Sequence, residues 1–353
     1  LRNVAIQGLD LRAHEELLIS SALENTFFLG CQLSSASAQY IYEHGGIIFP
    51  FMPSLPFNPF RPSLYHIEEL LEGYVPGDYN SFFKSSVDGN IYRCFKETKR
   101  NQVISTLLER IHDHAIDDAL EQMLSQEGRR FRAVGIMGGH SCKRDNETFR
   151  TIAKLGYRLT QSGYFVVTGG GPGAMEAANL GAYLSPYPLH DLEAALNVLQ
   201  EAPSYKHPRW FDSALEIRKR WPNGADSLGV PTWFYGHEPS NLFATFIAKY
   251  FANSIREEGI LSICFGGIIY APGSAGTIQE IFQDACQNHY GTCKHISSMI
   301  FFDTDYWTKK KEVYPLLQNL SRGKTYHNML GIYDHIEDVI THLKDHPPIE
   351  IED

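Results

Sequence analysis

The sequence has no apolar run near the roughly 18 residues that a membrane-crossing helix needs, so no span is expected. Its most apolar early stretch, Leu17 to Leu29, is broken by Ser20, Ser21, Glu24 and Asn25, which excludes a secretory core there. Basic residues are in the minority: 31 Lys and Arg against 41 Asp and Glu leave a net charge of −10. That balance argues against a general binder of nucleic acid or membrane surfaces, while allowing a local pocket for a small anion. The six cysteines, Cys31, Cys94, Cys142, Cys264, Cys286 and Cys293, form no C-x-x-C, and no pair has zinc-ribbon spacing. Idle thiols in a reducing cytoplasm are expected, and no metal site. Low-complexity tracts are missing too, and the five-residue apolar spacing within Leu1 to Leu33 is too weak to support a solenoid. The chain opens on Leu1 rather than Met, so a trimmed start is expected.

What is present is an alternation of short apolar runs, small-residue turns and amphipathic segments. Arg132 to Met137 reads as a strand ending in Gly138-Gly-His-Ser141, and Glu147 to Ser162 as a helix. Tyr164 to Thr168 is a strand, Gly169 to Gly173 a turn, and Ala174 to Leu184 a helix of small residues. Val230 to Tyr235 continues the strands, Leu242 to Glu258 the helices, with Arg256 in the last turn. Gly266 to Ala271, a turn, and an amphipathic Thr277 to Tyr290 repeat the unit. Ser298 to Phe302 is a last strand, and Tyr306 to Leu320 and His335 to Leu343 are closing helices. Strand, turn and helix in repetition predict an α/β fold, a Rossmann-like parallel sheet with helices on both faces.

Around that body the expected layout is an N-terminal extension over 1–130, a nucleotide-binding domain over 131–345 and an acidic, frayed tail over 346–353. The extension is hard to read before about residue 75. Gly46 to Phe51 looks like a strand, and Pro53 to Pro62 reads as an extended arm that packs on something. Asn101 to Glu127 has helical spacing and carries His112 and His114, which point in different directions and cannot chelate one metal side by side. A structural role is expected for both. An insertion over 186–226 interrupts the alternation with two helices, Leu189 to Leu199 and one around Trp210 to Arg220, the second rich in cations.

Chemistry is expected at the turns. Ala271-Pro-Gly-Ser-Ala-Gly-Thr-Ile-Gln-Glu280 joins a strand to a helix: Pro272 ends the strand, and Gly273 and Gly276 let the backbone turn its N–H groups outward. Free amides and the positive end of a helix dipole make an anion site, most naturally for phosphate. Thr277 opens the helix as a cap or a first-turn hydroxyl; as a cap it could form a capping box with Glu280 three residues on, yet a carboxylate beside a phosphate invites another role. Gly169 to Gly173 is not the dinucleotide fingerprint, and no Walker lysine is present. Two such turns in one sheet could hold a single nucleotide between them at the carboxyl ends of the strands.

Gly169-Gly-Gly-Pro-Gly-Ala-Met-Glu176 together with Pro272-Gly-Ser-Ala-Gly-Thr-Ile-Gln-Glu280 resembles the paired signature of the LOG family. These are cytokinin-activating nucleoside-monophosphate phosphoribohydrolases, long mislabelled as lysine decarboxylases. The wider group includes bacterial nucleotide 5'-monophosphate nucleosidases, which release a base and ribose 5-phosphate. The resemblance spans roughly 132–303. The long N-terminal region and the insertion are similar to those of the longer bacterial nucleosidases. P-G-S stands where the family usually has P-G-G, which leaves Ser274 an ordinary backbone conformation or a hydroxyl contact. The first loop is one residue shorter than in the plant enzymes.

The resemblance implies a hydrolase of the N-glycosidic bond, with Glu280 and Arg256 catalytic. Glu280 would stabilise a ribosyl cation-like transition state and orient or deprotonate water, and Arg256 would keep it ionised or clamp the substrate. Gly273, Ser274, Gly276 and Thr277 would grip the 5'-phosphate. Gly170, Gly171 and Gly173 would admit the nucleotide, with Glu176 reaching a ribose hydroxyl. His140 and Asn241 could meet the base or serve the structure, and His140 or His237 could protonate the leaving group. The implied partner is an AMP-like monophosphate, with no cofactor, a cytoplasmic location and a homo-oligomer. The rival reading is a nucleotide sensor using the same loops without chemistry. A decarboxylase would need a Schiff-base lysine beside a phosphate cup, and no such arrangement is visible.

Overall fold

The computed structural model describes residues 1–52, 54–97 and 103–351. Three short parallel strands open the chain: β1 (Arg2–Gln7), β2 (Glu24–Leu29) and β3 (Ile47–Phe49), paired in that order. They enclose a small core of their own around Phe28 and Ile41. The sequence reading anticipated only the third. β1 is mostly exposed and carries no clean alternation, which is the signal by which a strand is read.

The main body is a seven-stranded parallel sheet. Its members are β4 (Ala133–Met137), β5 (Phe165–Thr168), β6 (Leu228–Gly229), β7 (Phe246–Ile247), β8 (Gly267–Tyr270), β10 (Met299–Phe302) and β11 (Leu330–Tyr333). A separate two-stranded ladder joins β9 (His295–Ile296) to β12 (Ile349–Glu350). The tail expected to fray is therefore tied down at 349–350, while Glu352 and Asp353 lie outside the described residues. Every residue of β4, β5, β8 and β10 is buried, as parallel strands flanked by helices must be.

The strand order is β11-β10-β8-β4-β5-β6-β7. From β4 the chain runs outward to β7, then returns to the other side of β4 and continues through β8 to β11. The crevice beyond the carboxyl ends of β4 and β8 is thus the switch point, where open parallel sheets bind ligands. The helices Glu147–Gln161 and Ala174–Leu184 pack closely, because a side chain at Gly156 or Gly181 would run into the backbone of Ala178 or Ala153.

Two expectations fail between the strands. Val230 to Tyr235 is not one strand: 230–232 runs on from β6, with Thr232 bridged to Tyr250, and Trp233–Tyr235 is a 3-10 helix. Leu242 to Glu258 is not one helix: 242–252 is irregular around the short β7, and only Asn253–Ser262 is helical. Leu242, Phe243, Ala244, Ile247, Ala248, Tyr250 and Phe251 are all buried, so the segment has no polar face to give a period. Likewise Tyr306 to Leu320 splits into a π-helical turn, Tyr306–Lys310, and a helix, Val313–Leu320.

The N-terminal region is built into this body. Tyr65 exchanges both backbone hydrogen bonds with Ile247 and so covers the sheet's β7 edge. Phe57 of the proline-rich arm packs on Phe251, with ring centroids 4.7 Å apart; Pro53 lies outside the described residues. The long helix is Val103–Ser125, and the Asn101 and Gln102 start expected for it lies outside them too. His112 is fully buried and bonds the Tyr65 hydroxyl at 2.8 Å, while the exposed His114 faces Asp118 at 3.7 Å. Among the described residues no helix is long and apolar enough to cross a membrane.

Candidate active site

A cavity of about 430 Å³ lies at the switch point, lined by loops that follow three neighbouring strands. The loop after β4 contributes Gly138, Gly139 and His140; that after β5, Gly169 and Gly171; that after β8, the run Ser274 to Thr277 with Glu280. The two glycine turns, about a hundred residues apart in sequence, therefore face one space.

The helix after β8 opens at Ala275, with Ser274 at its N-cap in an extended, non-glycine conformation (φ −114°) and no side-chain cap bond. It starts two residues before the expected Thr277, which moves Thr277 into the first turn and rules out the capping box. The Ser274 hydroxyl is left exposed at the cavity. A side chain on Gly273 would collide with Thr277, so this glycine is needed for packing and does not itself line the cavity. Gly276 has open space where a side chain would stand. Its lack of one leaves the first-turn amides reachable.

Glu280 lines the same space and has Arg256 Nη1 3.9 Å from its Oε1. Burial pushes the Glu280 carboxyl up to about 7; the Arg256 charge pulls it down, and the Glu257 charge adds to the rise. Arg256 sits in the first turn of its helix, not the last. A cation there opposes the helix dipole, and the two carboxylates beside it supply the compensation. Its Nε donates to Asn253 Oδ1 at 3.2 Å, its Nη2 lies 3.6 Å from Glu257, and its Nη1 also reaches toward Gly169 of the first loop.

Other expected residues are placed differently. Gly170 (φ +70°) wedges against Val230 and Pro231 and shapes the loop without lining the cavity. Asn241 is fully buried; its amide donates to the Gly171 carbonyl at 3.1 Å and its oxygen accepts from the amides of Phe243 and Ala244. It braces the loop and offers no face to a base. Glu176 is not free to meet a ribose hydroxyl either: it is 1% exposed and held by both arms of Arg144, the Nε bond at 3.1 Å. The insertion covers Glu176: Arg144, which holds it, also donates to Ala202, Trp210 and Ser213. Asn241 is enclosed by the loop it braces, and buried polar groups of either kind are satisfied internally.

Gly173 (φ +77°) starts the Ala174–Leu184 helix, and a side chain on it would lie 2.6 Å from the carbonyl oxygens of Gly139 and His140. Gly173→Ala should therefore lower stability by about 1–3 kcal/mol and weaken the site, while Gly276→Ala leaves the melting temperature nearly unchanged. Thermal unfolding of the two variants side by side checks this.

His140 lines the cavity with its ring half exposed and its Nδ1 3.7 Å from Glu238; His237 also lies near Glu238, at 3.8 Å, but does not line the cavity. Glu238 and Glu257 escaped the sequence reading, although both line the cavity. Glu257 accepts from the side-chain amides of Asn253 (2.6 Å) and Gln279 (3.0 Å). The adjacency of Arg256 and Glu257 was the one signal available for it. Among the described residues, no three His, Cys, Asp or Glu side chains converge as a metal site would require.

A family model described as the SLOG cluster4 family matches residues 131–185, the segment that holds β4, β5 and the first glycine loop. The second loop lies outside that match. Among solved structures, the chain is similar to a molybdenum cofactor binding protein from the phototrophic bacterium Rippkaea orientalis. The identity is 17%, with 60% of this chain and 95% of that one covered and a TM-score of 0.36. It is also similar to the molybdenum cofactor carrier protein of Chlamydomonas reinhardtii, at 13% identity over 61% of this chain and 96% of that one, with a TM-score of 0.37. Comparison with curated proteins gave no match.

Proposed function

We propose that the protein hydrolyses the N-glycosidic bond of nucleoside 5'-monophosphates, releasing free base and ribose 5-phosphate. The observation that carries this reading is the position of Glu280: a largely buried carboxyl, faced by Arg256, inside one cavity bounded by both glycine loops. The 5'-phosphate lies against the first-turn amides of Ala275, Gly276 and Thr277, with the hydroxyl of Ser274 beside it. The sugar then falls next to Glu280. As the C1'–N bond lengthens, positive charge grows on the ribose, and the carboxylate of Glu280 stabilises it and takes a proton from the attacking water. The departing base needs a proton, and His140, at the rim and paired with Glu238, is placed to give it. Incubation with a panel of monophosphates, followed by chromatography for free base, tests the reading. Tight binding without any release would leave a nucleotide-binding protein and no enzyme.

The raised pKa makes a directional prediction. Glu280 must be ionised to act, so kcat/KM rises as pH increases through about 7. Glu257 contributes to that elevation as a like charge, so Glu257→Gln moves the acid limb to lower pH. Ionisation of the substrate phosphate, near 6, is the same for both proteins. An acid limb unmoved by Glu257→Gln would assign it to another group.

A further inference from the structure

A second cavity, of about 270 Å³, adjoins the first and shares His140 with it. It lies over the carboxyl end of β5. One wall is Ser141 and Lys143 of the loop after β4; another is Pro172 and Gly173 at the start of the eleven-residue Ala174–Leu184 helix; the insertion closes it with Ser204 and Lys206. The charges of the two cavities differ in sign. In the first, Glu238, Glu257 and Glu280 outnumber Arg256. In the second, the one carboxylate, Glu176, is neutralised by the buried Arg144, whose Nη1 also donates to Ser213 at 2.9 Å. Lys143 and Lys206 are both exposed and have no ion-pair partner among the described residues. Two lysines without a carboxylate partner among the described residues therefore line one concave space, the Lys206 ammonium 5.7 Å from the Tyr205 ring centroid, in a chain whose net charge is −10.

We propose that this second cavity is an anion subsite, and that it holds a second phosphoryl group of the same nucleotide whose first phosphate lies at Ser274 to Thr277. The inference rests on the nucleotide reading above and extends it: the preferred ligand carries phosphate at both ends of its sugar. His140 stands at the junction of the two spaces. The insertion acquires a role, since Ser204 and Lys206 belong to it and form the outer wall.

Equilibrium binding of AMP and of adenosine 3',5'-bisphosphate, at one fixed ionic strength, tests the subsite. The bisphosphate should bind about tenfold more tightly or better, which is what one charge-assisted contact supplies. The double variant Lys143→Ala, Lys206→Ala alters only exposed side chains and should erase most of that advantage while leaving AMP affinity within about twofold. A third arm adds inorganic phosphate. If phosphate binds the wild type beside AMP, and the double variant loses it, the anion site stands but its occupant is a free anion and not the same ligand. If AMP binds and is cleaved while the bisphosphate advantage is absent or survives the substitutions, the subsite is overturned and the glycosidase reading stands. Binding of neither nucleotide overturns both.

Discussion

Replacing Glu280 by Gln should abolish base release from AMP, by about 10²–10⁴-fold in kcat, while the dissociation constant for AMP changes by no more than severalfold. The amide keeps the size and the hydrogen-bonding reach of the carboxyl but can neither take a proton from water nor stabilise a cation. Arg256 would lose the charge of Glu280 at 3.9 Å, yet the closer Glu257 at 3.6 Å and the Asn253 bond keep the guanidinium in place. On the proposed reading the phosphate is held by the turn at Ser274 to Thr277, one helical turn earlier, so binding should be retained. Because burial already raises the Glu280 carboxyl to about 7, the wild-type side chain is partly protonated at neutrality. The variant therefore imitates a form already populated, and its fold should be intact. The decisive pair of measurements is single-turnover base release and equilibrium binding on the same preparation. Wild-type-like turnover in Glu280→Gln would remove this residue from the mechanism.

What the sequence made legible was the machinery that depends on backbone shape. Glycine and proline at fixed spacing between an apolar run and an amphipathic one leave few options, and both loops sit where that pattern puts them. Glu280 was legible because it follows its turn directly. Glu257 and Glu238 were not, because they lie on 231–257, where irregular backbone and the mostly buried run 239–251 leave no period from which elements are read. Arg256 was found through the resemblance, but its helix begins at Asn253, and so it stands at the opposite pole of the dipole from the one expected. Glu176 and Asn241 looked like ligand contacts because they flank a glycine loop. Only their long-range partners, Arg144 with Glu176 and Asn179 with Asn241, identify them as internal bracing.

The same kind of long-range pairing gives the largest expected effect on stability. Asp88, in the N-terminal region, accepts two bonds from Lys249 Nζ, each 2.8 Å, and one from the Trp233 indole at 2.7 Å. Lys249 is 1% exposed, and burial pulls its pKa down against the pull of Asp88. It also donates to Ser240 at 3.0 Å, whose neighbour Asn241 braces the first glycine loop. Asp88→Ala would strand the ammonium in the interior and free the indole, which should cost about 3–5 kcal/mol of unfolding free energy in urea titrations. The double variant Asp88→Ala, Lys249→Met should recover more than half of that loss, because the stranded charge is gone and an apolar side chain of similar length fills the space. Trp233 opens the turn that leads to Tyr235 and Glu238 at the cavity, so Asp88→Ala should also weaken AMP binding well below its unfolding transition. A loss under about 1 kcal/mol in the single variant would mean that water reaches Lys249, and that the N-terminal region lies against the body without holding the site in shape.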